Sequence, residues 1–284
     1  MNLKERVLQY LQERRDKIIE GGVNCIPSPF KRFSNSYIGI EQGRYYIVSA
    51  STKVGKTQLA SFLYLYSPLI YAYSHPDQVR LKIFYYPLEE TPQNILQRFL
   101  SYLLFRLSGK NIRISPQDLR SSKQAVEQEI IDKLGDAEYA NLLDFFEQTV
   151  TFSSSRNPTG IFQEVRKYME DNGSIHKKKA IIKDDFGIIK EVDAFDYYEP
   201  NDPDEYVLVI VDHLSLVQPE RGMNLKQAAD KLSEYFVILR NRYKVSPVLV
   251  QQQAFAGEDN ESMKLKRIRP SAYNLSDSKY PSRD

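Results

Sequence analysis

The chain has 284 residues, 42% of them hydrophobic, enough for one large domain or two small ones with a real core. Charged residues make up 27% and nearly cancel to a net +2, which excludes a uniformly basic nucleic-acid binder and leaves any such contact to a local patch. The single cysteine, Cys25, excludes an intrachain disulfide and makes a reducing, cytoplasmic setting the expectation; no apolar run is long enough to span a bilayer, and the opening MNLKERVLQYLQERRDKII is too charged for a secretory signal.

In chain order, Asn2 caps a helix predicted to run to about Glu20 and to stop at Gly21 and Gly22, with Leu3, Val7, Leu8, Leu11 and Ile18 on one side. Residues 23–43 are rich in Pro, Ser and Gly and read as an irregular wrap. RYYIVSA is a strand and KTQLASFLYLYSPLIYAYS a mostly buried helix; VRLKIFYYPL is the next strand. TPQNILQRFLSYLLFRL is a helix capped by Thr91, with Pro92 as its first residue. Residues 115–148 read as helical with a break near Gly135, TVTFSS as a short strand, and Asn157-Pro158 as the start of a helix through about Asp171.

A hairpin-like insertion is expected at about 176–204, where two β-rich runs flank DDFG. YVLVIVD is a continuous apolar strand of the kind found inside parallel sheets. Asn224 caps a helix to about Tyr243, and SPVLVQQQ is a further buried strand. The remainder is polar and loop-like. Alternation of strands and helices makes the class α/β with a mostly parallel sheet flanked by helices.

SASTKVGKT, at 49–57, has the chemistry of a phosphate-binding loop. Backbone N–H groups of Ala50, Ser51, Thr52, Lys53, Val54 and Gly55 can curl round phosphate oxygens, and the following helix adds its N-terminus. Lys56 reaches the β- and γ-phosphates of ATP, and the Thr57 hydroxyl holds Mg2+. Ala50 stands where the usual pattern begins with glycine; a methyl group is tolerable there unless the backbone needs a positive φ. Asp212 ends an apolar strand, where its carboxylate can complete the magnesium shell. Glu89 and Glu90 lie just past another strand, where a carboxylate can orient or deprotonate an attacking water. Three scattered histidines and one cysteine do not suit a structural zinc site.

In this order the pieces resemble a RecA-like P-loop ATPase, most of all the motor domain of DnaB-type replicative DNA helicases, over about 28–284. YPLEETPQNILQRFL resembles the family's strand, glutamate and following helix, which places the catalytic glutamate on Glu89. VLVIVDHLSLV resembles its Walker B strand and carries the aspartate onto Asp212. NLKQAADKLSEYFVILRNRYKVSPVLVQQQ resembles its capped helix and the strand ending in a phosphate-sensing glutamine, here Gln251 or Gln252. The resemblance implies a linker-like helix at 1–22, the wrap at 23–43 and an ATPase domain at 44–284. It also implies a homo-oligomeric ring or spiral, a hexamer favoured, acting on single-stranded DNA with ATP and Mg2+. Loops facing the channel would include a basic cluster, Lys264, Lys266, Arg267 and Arg269, suited to gripping a phosphate backbone.

The chain departs from the family at Ala50, in having one helix rather than a helical N-terminal domain, in the length of 176–204, and in stopping at Asp284 where another strand is expected. On that ground slow or absent turnover is expected of the isolated chain. The readings beside the helicase motor are a RecA-fold ATPase serving recombination, signalling or defence, and a nucleotide-binding scaffold with little turnover.

Overall fold

The computed structural model describes residues 2–51, 54–183 and 189–252. Helix α1 (Leu3–Ile19) opens with a full capping box between Asn2 and Glu5 and ends at Glu20, before Gly21 takes a left-handed conformation. The wrap that follows is not wholly irregular: β1 (Ile26–Pro27) and β2 (Gly39–Ile40) form a small antiparallel pair. Then come β3 (Tyr46–Ala50), α2 (Lys56–Ser61), α3 (Ser67–Ser74), β4 (Arg80–Pro87) and α4 (Pro92–Leu107). Between α2 and α3 the helix continues through a π-turn over Phe62–Tyr66. Pro68 explains the widening: it has no N–H for the carbonyl four residues back, and its ring would clash with that carbonyl in a regular α-helix.

The next stretch forms α5 (Pro116–Leu119), α6 (Gln128–Leu134) and α7 (Ala137–Thr149). Helix was expected through most of 115–148, but 120–127 is not helical. Ser121 adopts a positive φ of 55° and its hydroxyl accepts from the Val126 N–H at 3.0 Å, so a local turn wins over the helix. Strand β5 (Val150–Phe152) and α8 (Pro158–Asp171) follow. An antiparallel ribbon of β6 (Gly173–Lys183) and β7 (Ile189–Pro200) then interrupts the passage to β8 (Glu205–Asp212). It is the expected hairpin, begun three residues earlier than read. Helix α9 (Leu225–Tyr243), with a capping box at Asn224, and β9 (Ser246–Gln252) complete the described chain.

Strands β3, β9, β8, β4 and β5 lie in that order in one parallel sheet. Alternation in β8 sends Leu208 and Ile210 to the core under α2, α3, α4 and α7, and Val209 and Val211 to the core under α8 and α9. Both faces of the sheet are covered, which is why its strands read as unbroken apolar runs. No helix among the described residues is long and apolar enough to cross a membrane.

Candidate functional site at the carboxyl edge of the sheet

Ligands in open α/β sheets bind outside the carboxyl ends of the strands, and Gly55, Lys56, Thr57, Glu89 and Asp212 stand at that edge. Gly55 precedes α2 with φ 88°, a left-handed conformation that glycine adopts without cost. Ala50 instead closes β3 within the sheet ladder, paired with Gln252, and is not among the positive-φ residues. Its methyl group is therefore compatible with the backbone here. Ser51 is described and half-buried, and Val54 is exposed; Thr52 and Lys53 lie outside the described residues.

Lys56 and Thr57 begin α2, both half-buried. The Thr57 hydroxyl donates to Oδ1 of Asp212 at 3.5 Å. Asp212, 4% exposed, receives the Tyr85 hydroxyl on its other oxygen at 3.3 Å. Burial, then the nearby charge of Glu89, pushes its carboxyl up to about 6, with the Tyr85 hydrogen bond and the charge of Lys56 acting in the opposite direction. A hydroxyl and a carboxylate turned toward each other form a set of hard oxygens suited to Mg2+, which takes few protein ligands and keeps several waters. Among the described residues no cluster of three or more His, Cys, Asp and Glu offers an all-protein metal cage.

Glu89 stands beside this pair. The backbone N–H groups of Leu88 and Glu89 donate to the Asp212 carbonyl at 2.9 and 3.3 Å, which ties the end of β4 to the end of β8. The Glu89 carboxylate is half exposed and lies 3.6 Å from Nε2 of His213, whose Nδ1 is 2.7 Å from the Ser215 hydroxyl. The peptide between Asp212 and His213 is cis. Glu90 points elsewhere: it binds Arg98 of α4 at 2.5 Å. The two adjacent carboxylates are thus separated, with Glu89 left at the site and Glu90 held by an ion pair.

Gln251 and Gln252 fall on opposite faces of β9. Gln252 continues the face of Val248 and Val250, shared with Ala50 and Asp212; Gln251 is fully buried and continues the face of Leu249 toward α9. The basic residues Lys264, Lys266, Arg267 and Arg269 lie outside the described residues. Sequence reasoning missed Tyr85 and Arg98. Tyr85 sits inside an apolar strand, where its hydroxyl gives no periodic signal; Arg98 is one cation on a long amphipathic helix.

No family model matches this chain, and no curated protein matches it. A solved structure described as that of a DnaB-like replicative helicase and its interactions with primase is similar, with a TM-score of 0.61 at 14% identity. The match covers 100% of this chain and 54% of that one, so this chain spans about half the length of its structural neighbour. At that identity the likeness is one of fold. The parallel sheet and its flanking helices make this a RecA-like α/β fold, with the hairpin inserted before β8.

Proposed function

We propose that the chain is an ATP-dependent helicase motor domain that couples Mg-ATP hydrolysis to movement on single-stranded DNA in replication. The observation that carries this reading is the meeting of Thr57 from the phosphate loop with Asp212 from a central strand, beside the half-exposed Glu89. In this reading the loop 50–57 binds the phosphates through its N–H groups, and Lys56 places a positive charge beside them. Mg2+, when bound, neutralises charge on the phosphate oxygens, and Thr57 and Asp212 hold it. Glu89 orients the attacking water and takes its proton. Gln252 shares the face of Asp212 and is the better placed of the two glutamines to sense the γ-phosphate.

The proposed motor comprises a linker-like helix at 1–22, a wrap at 23–43 and the ATPase domain at 44–284. Assembly into a homo-oligomeric ring or spiral, a hexamer favoured, is supported by α1. That helix has no buried residue, and Leu3, Val7, Leu8 and Leu11 are exposed. It is tethered near its C-terminal end, with Arg14 paired to Glu41 at 2.8 Å and Lys17 to Asp204 at 2.5 Å. Exposed apolar residues gathered on one helix suit a subunit contact. Lys264, Lys266, Arg267 and Arg269 are proposed to grip the DNA backbone.

The test is titration of a fluorescent ATP analogue with Mg2+, with and without single-stranded DNA, against Lys56→Ala. Binding that needs Lys56 and tightens with DNA is expected, because coupling between the two sites is reciprocal. Lys56-dependent binding that ignores DNA reduces the reading to a RecA-fold ATPase of another duty. Binding indifferent to Lys56 rejects it.

A further inference from the structure

Tyr85 is 1% exposed, in β4, and its ring packs against Phe152 at 5.7 Å between centroids. Phenylalanine would fill the same space, so packing requires the ring and leaves the hydroxyl to be accounted for. A hydroxyl buried this deeply is costly without a partner. Its partner is Oδ2 of Asp212, 3.3 Å away. The sheet register produces this contact. Tyr85 lies opposite Ile210, and Asp212 is two residues further along the same face of β8, a diagonal that only a long side chain bridges. The two oxygens of Asp212 are thereby divided: Oδ2 is held from beneath by Tyr85, and Oδ1 faces the Thr57 hydroxyl.

We infer that Tyr85 is a positioning residue for the metal site: by holding Oδ2 it fixes the rotation of the Asp212 carboxylate and presents Oδ1 to a divalent cation shared with Thr57. The inference rests on the reading of Thr57 and Asp212 as Mg2+ ligands. A hydrogen bond one step behind a metal ligand sets that ligand's orientation, and its loss typically costs ten- to a hundredfold in metal affinity.

The experiment is Mg2+ titration of fluorescent-ATP binding to the full chain, comparing wild type, Tyr85→Phe and Asp212→Asn, with binding in EDTA measured in parallel. Tyr85→Phe is expected to raise the half-saturating Mg2+ concentration about tenfold while leaving the affinity in EDTA unchanged. A purely structural role for the hydroxyl would lower the melting temperature or the EDTA affinity and leave the Mg2+ midpoint in place. A midpoint moved by Asp212→Asn but not by Tyr85→Phe overturns the positioning role alone. A midpoint moved by neither overturns the metal reading, and the role with it.

Discussion

The Thr57 hydroxyl donates to Oδ1 of Asp212 across 3.5 Å, although the two residues stand 155 positions apart. One begins the helix after the proposed phosphate loop and the other ends the strand that pairs with both β4 and β9. Their approach makes a two-oxygen cradle from chain segments that have no local relation.

Residues that serve one ion act as a unit, so their losses do not add. Thr57→Ala and Asp212→Asn are each expected to weaken Mg2+-dependent nucleotide binding about tenfold, and the double variant to add little. Binding isotherms for the four proteins check this. Fully additive losses would mean that the two residues act separately.

The Asp212 carboxyl stands at about 6 rather than at its ordinary 3.8. The folded protein therefore holds that proton more tightly than the unfolded chain does. The resulting stability is present below pH 4 and is lost as pH rises through 6; a rise of two pH units amounts to about 3 kcal/mol. Asp212→Asn, which mimics the protonated form, should then be more stable than wild type by about 1–3 kcal/mol at pH 8. The gain should vanish near pH 4. Urea unfolding at the two pH values measures it, and equal gains at both would show that burial does not perturb this group. Mg2+-dependent nucleotide binding should in turn weaken as pH falls through 6.

Gly55 and Ala50 make opposite demands on the loop. Gly55→Ala forces a Cβ into a left-handed conformation, at a cost of about 1–2 kcal/mol, and should reduce nucleotide binding at least tenfold. Ala50→Gly, at the end of a regular strand, should leave affinity within twofold of wild type. Strong tightening by Ala50→Gly would mean that the methyl group obstructs the site.

Exposed apolar residues on α1 contribute little to the fold that carries them. Leu8→Glu with Leu11→Glu should change unfolding free energy by less than about 0.5 kcal/mol per site, yet lower the assembly mass seen by light scattering. An unchanged mass would remove α1 from the subunit contact.

Replacing Lys264, Lys266, Arg267 and Arg269 with Ala should weaken single-strand binding and flatten its dependence on salt. Each lost phosphate contact on a single strand takes about 0.7 from the slope of log K against log salt concentration. A slope unchanged from wild type would place the DNA contact elsewhere.

Much of the fold was legible because its signals are local. Thr91 with Pro92, Asn157 with Pro158 and Asn224 mark helix starts within a few residues, and unbroken apolar runs mark strands buried on both faces. The candidate phosphate loop could be read locally as well, because Gly55, Lys56 and Thr57 are contiguous. The sequence by itself thus determined which segments became helices and strands, and which residues had the chemistry for a phosphate and metal site. Only the tertiary structure decided what those residues face. Strand order set Asp212 opposite Thr57, and pairing register brought Tyr85 beneath it. The alternation of β9 separated Gln251 from Gln252, and the ion pairs Arg14–Glu41 and Lys17–Asp204 tethered α1. These relations join positions far apart in the chain, and they follow from the burial of two sheet faces at once, which no local pattern encodes.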